Sequence, residues 1–536
     1  MSFHRRSIWR GSSNRLRQNE AWQECLYIAG LILAVSMLFF VNLTDLPLLD
    51  PQEGTLALAA KAIYQGMASN DAFLAKEDYL VHSPLPYNLI ALAYNFAGVD
   101  ELTTRLPGAL LGGASVIILY GIGREIFVAR IPAMFSALVY LTCLPVVRYS
   151  RLASLNGPLL CFELLTIWAA LRSRRNLQWA LVTGMGFSLM SLTQSLFAWQ
   201  ILLIVLLFLR WDTPRLLNSA YFWVGLIMGA LPCLAWYSVL LVDYWQSGNS
   251  SNFISTLLLP TSMAVNQPEL TFNLYLLHFM PYFFPWLFVM FAGLQSIKHN
   301  LHWGWGKLLG VWLGGYFIFG LLTLPQNYWL ILPLFPPLAL TAGRQLEQIR
   351  NLPSNVNYPQ AWIYGFALMS FVVALAGINW GIRQYFDFYL PLICGFLSIT
   401  FGVTALIIAQ QDRQFITLLF WGLFVSTLLL IISPHWLWEL RVNEPVKPIA
   451  ELIIEHTEPK SIIYSSMTRK RPSLDFYSDR QIINQSVIQL KEHWQEDTKA
   501  YLLVDLETKN QLKIPPQAIL DEESLDSLGW VLAIKN

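Results

Sequence analysis

Apolar residues come in long blocks along this chain, separated by short polar stretches that hold most of its arginines and lysines. A helix needs about 20 apolar residues to cross a bilayer. Blocks of that order predict about thirteen spans, near 25–44, 105–123, 129–147, 157–171, 177–193, 195–210, 219–242, 275–297, 307–324, 328–343, 361–381, 389–410 and 415–433. From about Arg441 the pattern becomes that of a soluble domain. Strand-like runs at Ser461–Ser466, Gln481–Asn484, Tyr501–Leu506 and Trp530–Lys535 alternate with helical patterns near Val446–His456 and Val487–Gln495. They predict a small α/β module of roughly 95 residues.

Between the first two blocks lies a long connection, roughly 45–104. Its residues Asp50–Gly66 have the form of a helix start, with Asp50 as N-cap, Pro51 at N1 and Glu53 at N3 in a capping-box arrangement. Leu56, Ala59, Ala60 and Ile63 then fall on one face and Lys61 off it, as in a helix lying on a membrane surface. Pro84 and Pro86 break the chain before a second apolar surface helix, Asn88–Phe96, which Gly98 ends. The expected architecture is a polytopic all-α membrane protein with surface helices in its first outer loop and a small C-terminal α/β soluble domain. The domain reading is 1–24 a basic N-terminus, 25–440 the transmembrane domain with outer loops 45–104 and 243–274, and 441–536 the soluble domain.

Composition supports the membrane class: 55% of the 536 residues are hydrophobic and 13% charged, against about 25% charged in soluble domains. The 21 Trp, 22 Tyr and 32 Phe suit interfacial belts. A net charge of +1 carries no nucleic-acid signal, because the charges divide by membrane side. Arg5, Arg6, Arg10, Arg15 and Arg17 precede the first block and place the N-terminus in the cytoplasm. Arg124/Arg130, Arg172/Arg174/Arg175, Arg210/Arg215, Lys298/Lys307, Arg344/Arg350 and Arg413 then all fall on cytoplasmic connections, which puts the tail outside. The basic start leads into a span-length block without a small-residue cleavage site, so no cleavable signal is expected. Cys25, Cys143, Cys161, Cys233 and Cys394 lie in or beside apolar blocks without metal or disulfide spacing and read as small hydrophobes.

Candidate chemistry gathers on the outer connections. Leu-Leu-Asp50-Pro-Gln-Glu53-Gly leads, followed by His82-Ser-Pro-Leu-Pro-Tyr87 and by Thr104-Arg105-Leu-Pro-Gly108. Read alone, the acids fit a helix start, His82 an interfacial histidine, and Arg105 a structural residue opening a span. Further along stand Arg148-Tyr-Ser-Arg151, Ala153-Ser-Leu-Asn156-Gly-Pro-Leu, and Leu324-Pro-Gln-Asn-Tyr328 followed by Leu332-Pro-Leu-Phe-Pro-Pro. This ordered set, with thirteen spans and an outer α/β tail, resembles the GT-C glycosyltransferases of the family 39/83 type, the protein O-mannosyltransferases and aminoarabinose–lipid A transferases.

The resemblance implies a GT-C fold and transfer of a sugar from a polyprenyl-phosphate-linked donor to a lipid, glycan or protein acceptor. It places the enzyme in the plasma (inner) membrane, with membrane lipids and no nucleic acid as partners. By position, Glu53 matches the second acid of the family's Asp-Glu pair and Gln52 stands where the first would be, leaving Asp50 as its nearest replacement. Asp50 and Glu53 are therefore the candidate catalytic carboxylates, and Arg148 and Arg151 the candidates for the leaving phosphate. His82, Asn156, Gln326, Asn327 and Tyr328 are the remaining candidate substrate-binding residues. His82-Ser-Pro-Leu replaces the Glu-Lys-Pro-Pro of lipid A transferases, so no cofactor is expected beyond a possible single divalent metal ion held by His82 with Glu53 or Asp50. Two rival readings remain. One is a catalytically degenerate relative that binds lipid-linked sugar or assists assembly. The other is a transporter or flippase, for which Glu163 is the clear mid-span acid.

Overall fold

The computed structural model describes residues 3–66, 83–246, 283–323, 332–353, 357–383, 388–441, 446–496, 499–512, 519–520 and 530–535. They form two compact units. One comprises Met1–Asn42, Glu77–Leu85 and Gly108–Ser433; the other comprises Leu43–Lys76, Pro86–Pro107 and Pro434–Asn536.

The first unit is helical, and every expected apolar block carries a helix. These include Phe3–Phe40, Asn156–Ser173, Trp179–Thr193, Ser195–Asp212, Ala220–Gln246, Gly304–Thr323, Phe335–Arg350 and Phe415–Ile432. By length and apolar composition, seven of the described helices qualify as spans alone, or up to eight if one bent pair counts as a span. The chain is a multi-pass membrane protein. The bent pair, Arg130–Leu141 and Leu144–Arg151, turns through 60°. Thr142 ends the first member with its hydroxyl on the Leu138 carbonyl (2.8 Å), and Pro145 starts the second, where a missing N–H costs nothing.

In lipid no hydrophobic force pushes helices together, so close approach depends on small residues. A Cβ on Gly229 would lie 2.6 Å from the Met185 amide nitrogen and run into the Leu181 carbonyl, and one on Gly184 would strike the Leu226 carbonyl. The Trp179–Thr193 and Ala220–Gln246 helices thus touch backbone to backbone. Charged helix ends are cross-tied within this unit. Asp212 takes Arg174 at 2.9 Å and Lys307 at 3.3 Å, and Glu24 takes Arg124 at 2.6 Å and Arg130 at 2.9 Å.

The second unit is built on a five-stranded sheet with strands β1 Ile462–Ser465, β2 Gln481–Asn484, β3 Ala500–Asp505, β4 Ile519–Leu520 and β5 Trp530–Lys535, in the order β2-β1-β3-β5-β4. β1 pairs in parallel with β2 and β3, whereas β5 pairs antiparallel with β3 and β4. Strand alternation feeds two cores. Leu503 of β3 packs with Ile449, Ile453, Ile463 and Leu474, while its neighbours Leu502 and Val504 pack with Leu490, Val531 and Ala533 on the other face. The two surface helices, Gln52–Tyr64 and Pro84–Ala97, form as expected, and Gly98 at φ +87° ends the second. The apolar face of Gln52–Tyr64, expected to lie on lipid, instead buries Leu56, Ala57, Ala59 and Ala60, and the helix packs on the Pro472–Ser478 helix of the tail.

Gly229→Val should destabilise the detergent-purified chain by about 1–3 kcal/mol through overpacking. Gly314→Ala, where an added methyl meets nothing within 4 Å, should leave the thermal midpoint unchanged.

Candidate active site

The Leu-Leu-Asp50-Pro-Gln-Glu53-Gly segment and the Thr104-Arg105 segment meet in the second unit through one ion pair. Glu53 and Arg105 are both completely buried. Arg105 Nε donates to Glu53 Oε1 at 2.9 Å and Nη2 to Oε2 at 2.7 Å, a parallel two-point fork. Nη1 donates to the carbonyls of Leu43 (2.7 Å) and Leu46 (2.8 Å), and Nη2 also to that of Pro47 (2.9 Å). All five N–H groups of the guanidinium are used, and its plane lies 5.5 Å from the Trp436 ring. Glu53 Oε2 further accepts the N–H of Leu49, two residues before the N-cap, at 2.8 Å.

The expected capping box does not form. Pro51 occupies the N-cap position of the Gln52–Tyr64 helix, with no side-chain cap bond. Asp50, expected to cap its own helix, caps another. Its Oδ1 accepts the Ser473 N–H at 2.8 Å, its Oδ2 accepts the Ser473 hydroxyl, and Arg471 Nε stands 3.6 Å away. Arg471, at the N-cap of the Pro472–Ser478 helix, makes no side-chain cap bond, so Asp50 satisfies an amide left open there. Gly54 makes room for this: a Cβ there would lie 2.5 Å from the Ser473 nitrogen and 2.6 Å from Asp50 Oδ1.

Around this junction burial dominates the electrostatics. It raises the Asp50 carboxyl above the ordinary aspartate value, with the Ser473 bonds offsetting part of the shift. Asp475 is pushed up to about 7, first by burial and further by the neighbouring charge of Asp50, against the Ile482 N–H it accepts. A cavity of about 460 Å³ opens nearby, lined by Lys61, Glu101, Lys447, Phe476 and Tyr477 among others. Its cations are paired, Lys447 with Glu101 at 2.6 Å and Lys61 with Asp479 at 3.0 Å.

Arg148, Arg151 and Asn156 belong to the first unit. Arg151 is fully buried, and it gives Nη1 to the Leu38 carbonyl (2.7 Å) and Nη2 to those of Val41 (2.7 Å) and Asn42 (3.0 Å). It thereby closes the C-terminal end of the Phe3–Phe40 helix, where carbonyls lack partners and a cation is favoured. Arg148, 3% exposed, sits 5.1 Å from the Tyr149 ring. Asn156 opens the Asn156–Ser173 helix and is buried, its N–H directed at the Ser154 hydroxyl at 3.3 Å. His82, Gln326, Asn327 and Tyr328 lie outside the described residues. Among the described residues no three His, Cys, Asp or Glu side chains gather as a metal site.

Sequence reasoning named both acids but not their partners. Arg105 is 52 residues from Glu53 and Ser473 is 423 from Asp50, separations at which no local pattern signals contact.

A family model described as dolichyl-phosphate-mannose-protein mannosyltransferase matches residues 81–238. No curated protein matches the sequence. Two solved structures of ArnT from Cupriavidus metallidurans, one bound to undecaprenyl phosphate and one in the apo state, are similar in fold. Each gives a TM-score of 0.71 at 15% identity and covers 96% of this chain and 98% of the other. An oligosaccharyltransferase from Archaeoglobus fulgidus is a looser match, with a TM-score of 0.48 at 12% identity over 90% of this chain and 68% of that one.

Two stability measurements test the junction. Arg105→Ala should cost about 3–5 kcal/mol, as expected of a broken buried pair, and more than Glu53→Gln. The reason is that the arginine change also strands the carbonyls of Leu43, Leu46 and Pro47. For Asp475 the folded value, about 7, exceeds the ordinary aspartate value of 3.8. Its contribution is therefore fully present below about pH 4 and is lost as pH rises through 7. Asp475→Asn lacks that loss, so thermal midpoints of variant and wild type should coincide near pH 4 and separate in the variant's favour by pH 8.

Proposed function

We propose that this chain, which has the fold of the GT-C glycosyltransferases, is a glycosyltransferase that moves a sugar from a polyprenyl-phosphate carrier to a lipid, glycan or protein acceptor. Its setting in this reading is a bacterial plasma membrane, with the N-terminus cytoplasmic and the reaction on the opposite face. The observation that carries the proposal is the likeness, over 96% of the chain, to a protein solved with undecaprenyl phosphate bound. The mannosyltransferase family match over 81–238 supports it from the sequence side.

Such a transfer needs a carboxylate to orient or deprotonate the acceptor and a cation or polar group to stabilise the departing phosphate. The geometry divides the two acids. Glu53 is committed to Arg105 and the Leu49 amide, so it is assigned a positioning role, holding the 43–54 segment. Asp50 is assigned the acceptor. Burial raises its carboxyl, the direction that makes a carboxylate a stronger base. Arg148 is assigned the leaving phosphate, because Arg151 hydrogen-bonds the end of a helix. His82, Asn156, Gln326, Asn327 and Tyr328 are kept as pocket residues for the same substrate.

One observation favours a second reading, a relative that binds the carrier without turnover. Gln52 stands where the family's acid would be, and an amide is no base at neutral pH. Transfer from a radiolabelled polyprenyl-phosphate sugar to fractionated envelope acceptors separates the two. Asp50→Asn should lower kcat by roughly 10²–10⁴-fold with carrier binding retained, and Arg148→Ala should weaken carrier binding. Carrier bound by the wild type with no transfer to any fraction establishes the second reading. Transfer unchanged in both Asp50→Asn and Glu53→Gln removes these assignments.

A further inference from the structure

Glu163 lies near the middle of the Asn156–Ser173 helix and is completely buried. Its Oε1 accepts the Trp312 indole N–H at 3.0 Å and the Tyr316 hydroxyl at 2.9 Å, both from the Gly304–Thr323 helix. Its Oε2 has no hydrogen-bond partner among the described residues, and neither has either head atom of Gln200, a side chain 6% exposed on the Ser195–Asp212 helix. Buried polar atoms of this kind are uncommon and call for an occupant.

Gln200 belongs to the same node. Its helix packs against both helices that carry the Glu163 cluster. One turn before it, Phe197 meets Phe319 with ring centroids 6.2 Å apart; one turn after it, Ile204 lies 2.7 Å from a Cβ built on Gly315, the neighbour of Tyr316. Residues three and four apart share a helix face, so the Gln200 amide is bracketed at the level of Tyr316.

No described cation answers the carboxyl. The Trp179–Thr193 helix, packed along Glu163's own, carries no titratable side chain. The Ser195–Asp212 helix has Arg210 and Asp212 in its last turn, and the Gly304–Thr323 helix has Lys307 at its start, paired with Asp212. On the Leu144–Arg151 helix, Arg151 is bonded to the end of the Phe3–Phe40 helix and Arg148 lies by Tyr149. Arg172, on Glu163's own helix, is about 14 Å further along the axis. Tyr140 is buried, and its hydroxyl accepts from that of Ser115 at 3.3 Å. An ionised carboxylate in such apolar surroundings is heavily penalised, and taking up a proton removes the penalty.

We propose that Glu163 and Gln200 form an internal proton and water site in the membrane-spanning bundle. In it Glu163 is a neutral carboxylic acid that donates from Oε2, through one ordered water, to Gln200 Oε1. The proton comes from solvent. The carbonyl oxygen Oε1 keeps both indole and phenol donors, and Glu163 Oε2 with the two Gln200 atoms supplies the polar partners an internal water requires. The site ties three helices together by polar bonds where apolar packing offers no net drive.

Infrared difference spectroscopy on the full chain in detergent at pH 7 tests this. The wild-type-minus-Glu163→Gln difference should show a protonated-carboxyl carbonyl band, from which Asp475, present in both proteins, cancels. In Tyr316→Phe, which keeps the ring and loses one donor to Oε1, the band should persist at higher frequency; this readout holds even where Glu163→Gln fails to fold. A wild type lacking the band, or a band identical in all three proteins, overturns the proposal. So does a rise in thermal midpoint with sodium or potassium chloride that Glu163→Gln abolishes, because a metal cation is then the occupant.

Discussion

The Glu53–Arg105 pair is the constraint on which the second unit depends. Two charges removed wholly from water are tolerated only when every donor and lone pair is answered, and here the arginine answers three carbonyls of 43–47 as well as the carboxylate. The pair therefore fixes the path of the segment before the first surface helix. With that path set, Asp50 reaches Ser473, Gly54 must lack a side chain, and the buried face of the surface helix meets the tail helix. A family-like acidic motif thus doubles as the joint between the first long connection and the α/β tail.

That double use bears on function. An acid whose oxygens are held by arginine and backbone is suited to positioning, and one raised by burial is suited to proton chemistry. In this short motif Glu53 is held by Arg105 and the Leu49 amide, and Asp50, held by Ser473 with Arg471 beside it, is the acid raised by burial. The membrane-spanning bundle repeats the contrast among its own polar groups. Arg151 gives both terminal nitrogens to carbonyls at a helix end, whereas Glu163 meets the Trp312 and Tyr316 donors through one oxygen only.

Much of the architecture is legible along the chain because its signals are local. Apolar blocks mark helices, and short strand-like runs at 461–466 and 501–506 mark strands found at Ile462–Ser465 and Ala500–Asp505. Gly98 stops a helix because its positive φ suits few other residues. Where the local reading of Asp50 as an N-cap fails, the cause is competition. Pro51 takes the cap position, and a distant open amide offers Asp50 a better bond. Arg151, too, has partners no local pattern shows, the carbonyls at and just beyond the end of the Phe3–Phe40 helix.

The sequence by itself determined the class of molecule, the helices and strands, and the family resemblance. Each of these follows from hydrophobic periodicity, turn chemistry or motif order within a few dozen residues. Only the tertiary structure decided what the charged residues do. Glu53 pairs with Arg105, Asp50 caps a helix more than four hundred residues away, and Glu163 meets Trp312 and Tyr316. The physical reason is that a buried charge takes its meaning from the groups packed around it, and those are brought together by folding.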